Sequence, residues 1–178
     1  MENKAKVRYY GDTEDPMWQM EAEALFPWLT GKGADIGAGL RSISPDITRV
    51  DIDKKVKPDV LCSGDKLPFK DGEFDYITSI HSFEHFEDAR KTLTEWLRVV
   101  KTGGIVGIVH PDIFYTKKQN PEIDNPGLKA NPYNRHWHEH TADSFVLMLK
   151  SWTDLPFKMI DYGIACAHWS FYVILKKT

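Results

Sequence analysis

The sequence is poor in cysteine, nearly balanced in charge and without long apolar runs. Its 178 residues hold two cysteines, Cys62 and Cys166. They stand too far apart for a metal-binding spacing and are too few for a disulfide framework, so buried free thiols in a reducing compartment are expected. Lys and Arg number 23 against 26 Asp and Glu, a formal net charge of -3 with no basic stretch. That balance disfavours a reader of duplex nucleic acid, which depends on phosphate contacts. No segment approaches the roughly 18 apolar residues of a membrane span, and the opening MENKAKVRYYGD lacks the apolar run of a secretory leader. A cytoplasmic protein without membrane association is therefore expected. Apolar residues make up 42% and charged residues 28%, which fits neither disorder nor a coiled coil. The length suits one domain spanning 1–178.

What is abundant is aromatic and imidazole: six Trp, seven Tyr, nine Phe and seven His. The histidines bunch at 81–85 and 136–140. Along the chain, Asp15 and Pro16 read as an N-cap and a first-turn proline. Met17, Met20, Ala24, Leu25 and Trp28 recur at helical spacing, and Pro27 ends or kinks that helix near Phe26. Short apolar runs bounded by turn residues read as strands at 33–36, 47–52, 59–62, 74–80 and 105–109. Ala89, Leu93, Trp96, Leu97 and Val100 form an amphipathic stripe between the last two, stopped by Gly103 and Gly104. Strand, helix, strand at this spacing is a parallel crossover. Thr141 caps a further helix carrying Phe145, Val146, Leu149 and Trp152. Runs at 157–164 and 169–175 read as an antiparallel pair. The stretch 111–140, rich in Pro, Asn and Lys over its first part, is long for a connection and is expected to be an insertion or lid over the active site. Residues 1–30 form an N-terminal arm and helix, in which Tyr9, Tyr10 and Trp18 are candidates for an aromatic lid, with core packing the alternative for Trp18.

The segment ADIGAGLRS places a glycine-rich turn directly after a strand, where backbone comes close to a nucleotide-like ligand. The next strand ends in VDID, so that Asp51 can accept both hydroxyl protons of a ribose. A dinucleotide fingerprint would need a third glycine, which is Ser42 here, and an acid about 20 residues on. Asp51 follows Gly39 by only 12 residues, and a cofactor with a ribose but no pyrophosphate fits better. In ADIGAG, VDID, DKLPFKDGEFDYITSIHSFEH and LRVVKTGGIVGIVHPD the chain resembles the class I S-adenosylmethionine-dependent methyltransferases, the small type 11 methyltransferase domains in particular. The resemblance implies a Rossmann-like α/β sheet, mostly parallel with a C-terminal antiparallel pair, and S-adenosyl-L-methionine as cofactor. It implies that Asp35, Gly37, Ala38 and Gly39 line the methionine end and that Asp51, with Ile52 beside it, holds the ribose.

Two departures stand out. Ser63 occupies the place of the acid that the family uses near adenine, so recognition there falls to Ser63, to backbone at Gly64, or to Asp65. The connections after the first two strands are too short for full crossover helices, which leaves one sheet face thinly covered, by the N-terminal helix or by a second copy in a homodimer.

HSFEH follows the fourth strand, at the ligand crevice of an open parallel sheet. Its HxxEH pattern is also a zinc-protease signature, but that signature belongs on a helix and not after a strand. His85 or His81 is the first candidate base for methyl transfer and His110 the second; capping of the next helix is the structural alternative for His85. His81 also qualifies as a neighbour of the cofactor. His110 and Asp112, closing the fifth strand, qualify as acceptor-side groups. His136, His138 and His140 share one face only if their segment is extended. No matching carboxylate or thiol motif accompanies them, so no metal is expected. His168 reads as structural. The expected activity is methyl transfer to the oxygen or nitrogen of a small-molecule acceptor, a sugar or metabolite. The rivals are a degenerate cofactor-binding or interaction protein without catalysis and a nicotinamide oxidoreductase; the short spacing to Asp51 argues against the second.

Overall fold

A computed structural model describes residues 15–115 and 136–178. Tyr9, Tyr10 and most of the expected lid, residues 116–135, lie outside them. Among the described residues seven strands form a single sheet: β1 (Gly33–Ile36), β2 (Thr48–Asp51), β3 (Val60–Leu61), β4 (Phe74–Ile80), β5 (Val100–Pro111), β6 (Phe157–Cys166) and β7 (Ser170–Lys177). Their order is β3-β2-β1-β4-β5-β7-β6. Neighbours from β3 to β5 run parallel, and β7 enters antiparallel between β5 and β6. This is the mostly parallel sheet with a C-terminal antiparallel pair that the resemblance implies.

Among the described residues α1 (Pro16–Leu25), α2 (Ala89–Val99) and α3 (Ala142–Ser151) accompany it, and residues 113–115 are helical as well. The Asp15 carboxylate caps α1 by accepting from the Met17 N–H at 3.0 Å, Pro16 sits in its first turn, and a 3-10 turn at Phe26–Trp28 takes over where Pro27 cannot continue the helix. The buried face differs from the expected one. Trp18, Ala22 and Leu25 point inward together with Glu21, while Met17 and Met20 are exposed. Trp18 is thus a core residue and not a lid. The α2 cap is Asp88, accepting from Lys91 N–H at 2.9 Å. The helix stops at Val99 because Val100 is already extended and fully buried in β5. Gly103 and Gly104 therefore lie inside β5, where its pairing with β4 shifts register between Phe74 and Tyr76, and do not serve as the helix stop.

The two sheet faces are unequal. On one, α2 and α3 bury Leu93, Trp96, Leu97, Phe145, Val146 and Leu149 against Ile36, Ile77, Ile108 and Val173, each large side chain contributing about 1.5–3 kcal/mol. On the other, α1 packs Trp18, Ala22 and Leu25 against Ile43, Val109, Ala165 and Ile174. No helix lies between Ile36 and Thr48, and only a 3-10 turn (Lys54–Val56) follows β2. Where helices are missing, the strand register lines up polar residues: Arg49 on β2, Asp35 on β1 and Thr78 on β4 are direct neighbours across three strands.

The stretch 111–140 leaves and returns at one place. Asp112 bridges His140, and the Ile113 N–H donates to the His140 carbonyl at 3.0 Å. Both cysteines are free; Cys166 is buried and Cys62 half-buried. None of the described helices is long and apolar enough to cross a membrane.

Candidate functional site

The site begins where β1 ends. Gly37 turns the chain at φ +72, a conformation that L side chains rarely adopt, and a β-carbon there would lie 2.3 Å from Ser82 Cβ. Ser82 is placed by donating its hydroxyl to the Ile36 carbonyl at 2.6 Å, and Gly37 N–H donates to the Val50 carbonyl at 2.8 Å. With no helix to anchor the rest of the turn, β2 does so through its side chains. Asp51 Oδ2 accepts from Gly39 N–H at 2.9 Å, and an Arg49 Nη donates to the Gly39 carbonyl. These two residues are two apart and so lie on one side of the strand. Both backbone groups of Gly39 are held by them. Arg49 also donates to the carbonyls of Val56 at 3.1 Å and Lys57 at 3.3 Å, tying the turns after β1 and β2 together.

The cleft formed there has a volume of about 230 Å³ and lies across the carboxyl ends of β1, β2, β3 and β4. Gly37, Asp51, Ile52, Ser63, Gly64, His81 and His85 are among its walls, together with Val50, Cys62, Ser82 and Phe86, which sequence reasoning missed. Asp51 Oδ1 accepts from Asp53 N–H at 2.8 Å, so each carboxylate oxygen takes one backbone donor and keeps acceptor capacity for a ligand hydroxyl. Ser63 donates its hydroxyl to Asp65, whose carboxylate also takes the Lys91 ammonium at 2.8 Å, and that ammonium together with Ser63 holds Asp65 below the usual carboxylate range. What Ser63 presents to the cleft is therefore an acceptor. Gly64 comes so close to Ile36 that a β-carbon would meet its Cγ2 at 2.4 Å, and its carbonyl accepts from Trp96 Nε1–H at 2.8 Å.

Asp35, Ala38, Gly39, Asp65 and His110 are not among the cleft walls. Asp35 is buried just before the turn and accepts from the Thr78 hydroxyl at 2.9 Å. Burial pushes its carboxyl up to about 7, against the opposing pull of Thr78 and Arg49.

The HSFEH histidines have different fates. His81 follows β4 in a left-handed conformation, φ +54, with its Nε2 2.6 Å from Glu21 Oε1 and its Nδ1 3.7 Å from Glu84 Oε1. Burial opposes its charge, but the two carboxylates outweigh it and hold the ring protonated, its pKa pushed up to about 10. A ring in that state has no lone pair with which to act as a base. His85 ends a 3-10 turn (Phe83–His85), not a helix, and is half-buried at the cleft. His110 is fully buried against Phe171 and Phe145, donates through Nδ1 to the Pro111 carbonyl at 2.8 Å, and is pushed down to about 4 by burial. It stays neutral, with Nε2 lacking a hydrogen-bond partner among the described residues.

The segment 136–140 bends and is not a continuous strand. His136 packs edge-on to His85 with ring centroids 4.9 Å apart. His138 instead donates to the Glu87 carbonyl at 3.0 Å, and His140 bonds Ser144 Oγ at 3.1 Å. Trp137 N–H donates to the Glu84 carbonyl at 2.8 Å, which holds His136 beside His85. His168 turns between β6 and β7, edge-on to Tyr115. Glu21 was not foreseen: it is a charged residue on the buried face of α1 that joins His81 and the Ser170 hydroxyl, the latter at 2.6 Å. Its only mark in the sequence is an acid falling between Trp18, Ala22 and Leu25.

Residues 31–108 match the family described as Methyltransferase domain. An uncharacterised protein of Methanocaldococcus jannaschii is 32% identical over 121 residues, covering 60% of this chain and 58% of its own length. The demethylmenaquinone methyltransferase of Paenarthrobacter aurescens is 27% identical over 162 residues, covering 76% and 62%. The chain thus spans about three fifths of the length of these curated relatives. Among solved structures, a SAM-dependent methyltransferase from Aquifex aeolicus superimposes with a TM-score of 0.67 over 100% of both chains at 13% identity, a likeness of fold.

Proposed function

We propose that this chain, whose residues 31–108 match the family described as Methyltransferase domain, is an S-adenosylmethionine-dependent methyltransferase of the class I kind that methylates the oxygen or nitrogen of a small-molecule acceptor. The observation that carries this is the conjunction of the Gly37 turn with Asp51 at the carboxyl ends of adjacent parallel strands, both on the wall of one cleft. The donor set fits the cofactor: Asp51 offers two carboxylate oxygens beside the turn as acceptors for ribose hydroxyls, Ser63 an acceptor for an amino group such as that of adenine, and Phe86 and Ile52 apolar surface for a ring. When bound, the cofactor supplies an electrophilic methyl group on a positively charged sulfur.

The chain's own work is alignment and exclusion of water. Gly37 lets backbone approach the ligand, Arg49 and Asp51 fix the turn, and His81, locked between Glu21 and Glu84, fixes the wall after β4. His85 is placed to take a proton from an acceptor hydroxyl or amine. Asp35 anchors the start of the turn.

Thermal-shift titration tests the reading. Stabilisation by S-adenosylhomocysteine and none by NAD is expected. No shift with S-adenosylhomocysteine removes the proposal, and a shift with NAD alone replaces it with nicotinamide chemistry. Transfer of a labelled methyl group to acceptors, a demethylated quinone among them, then separates an active enzyme from a protein that only binds.

A further inference from the structure

Three potential metal donors converge at the edge of the cleft: a carboxylate oxygen of Glu84 and one ring nitrogen each of His85 and His136, all within 4.8 Å of one another. Glu84 and His85 are neighbours in the turn after β4. His136 arrives from the far end of the 111–140 stretch, drawn in by the Trp137 and His138 N–H groups, which both donate to the Glu84 carbonyl. A second observation points to a ligand. The Glu84 side chain is 1% exposed, and its Oε2 has no hydrogen-bond partner among the described residues, whereas a buried carboxylate oxygen ordinarily has one. Its other oxygen, Oε1, lies 4.0 Å from His85 Nε2. On the other side of Glu84, His81 is held by Glu21, which also accepts from the Ser170 hydroxyl.

We propose that Glu84, His85 and His136 bind one divalent transition-metal ion. Two imidazoles and one carboxylate form a donor set suited to zinc or ferrous ions and poorly suited to magnesium or calcium, which prefer oxygen throughout. Ligand bonds near 2.0–2.2 Å place tetrahedral donors about 3.4 Å apart, so the three side chains close by about an ångström around the ion. Three protein donors leave a coordination position open. Because His85 lines the cleft, the open position is adjacent to it, and its occupant is an oxygen of the acceptor or water. With the ion bound, His85 is its ligand and no longer the base named above: an acceptor hydroxyl held on the metal is acidified there and gives its proton to water. That role rests on the methyl-transfer reading, whereas metal binding itself does not.

The full chain, stripped with a chelator, is titrated with zinc by calorimetry and with cobalt, whose visible absorption reports coordination. One ion per chain is expected. His136→Ala and His85→Ala should each weaken it by about tenfold or more, since loss of a direct donor exceeds the effect of losing an outer-shell partner, and His138→Ala should leave it unchanged. Glu84→Gln completes the set if it folds; the histidine variants decide the matter if it does not. No stoichiometric binding, or binding indifferent to His136→Ala, overturns the proposal. Binding of S-adenosylhomocysteine by the same stripped sample is scored separately, so failure of the metal site and failure of the methyltransferase reading give different results.

Discussion

At Asp51, one carboxylate does two jobs: it holds Gly39 and Asp53 through their N–H groups and faces the cleft. Asp51→Ala is expected to weaken S-adenosylhomocysteine binding by about 1–3 kcal/mol, through lost charge-assisted hydrogen bonds and a loosened turn. Calorimetric titration checks it, and unchanged affinity would place the ribose elsewhere. Asp35 predicts a pH dependence. Its folded pKa, about 7, lies above its ordinary value of 3.8. Its contribution to stability is thus fully present below about pH 4 and is lost as pH rises towards 7, because the unfolded carboxyl ionises first. The loss is about 4 kcal/mol at most, from roughly 1.4 kcal/mol per pH unit over about three units. Denaturant unfolding from pH 4 to 8 should show a decline in the wild type that is flattened in Asp35→Asn; parallel curves would show that Asp35 is ionised in the folded protein.

At the scale of elements, side chains of β2 do the anchoring that a helix after β1 would otherwise do. Arg49 reaches the carbonyls of Gly39, Val56 and Lys57. Arg49→Met, which keeps the apolar stem and removes the donors, is expected to cost about 1–3 kcal/mol in stability, together with weaker cofactor binding; a variant as stable as wild type would show the turns to be self-supporting. Likewise α1 is fastened by Glu21 to His81 and Ser170 across the sheet. Glu21→Gln should lower the unfolding midpoint in urea, because it leaves a half-buried cation short of a partner.

These elements also show which parts of the sequence were legible. The Asp15–Pro16 start, the α2 stripe and the β1 turn were plain because each is written in local spacing. The buried face of α1 was not, because Glu21 replaces an apolar residue there and its reason lies at His81, far along the chain. The Gly103–Gly104 pair misled for a related reason, since its place is decided by the register of β5 against β4. Arg49 gave a faint signal, alternating with Asp51 on a strand end. The approach of His136 to Glu84 and His85 gave none, because a bend and two backbone hydrogen bonds set it.

The whole molecule is a seven-stranded sheet with a well-covered face and a lean one. On the lean face α1 packs against Ile43, Val109, Ala165 and Ile174, and a polar row of Arg49, Asp35 and Thr78 occupies the part over β1, β2 and β4. Short connections after β1 and β2 bring the turn, the acid and the β4 wall into one cleft with little chain. That economy matters only if the cleft takes the cofactor that its donors fit. Calorimetric titration of the wild-type chain with S-adenosylhomocysteine, beside NAD as comparison, tests this most directly. The account predicts one S-adenosylhomocysteine site per chain and no heat from NAD; an absence of S-adenosylhomocysteine binding, or binding of NAD in its place, would contradict it.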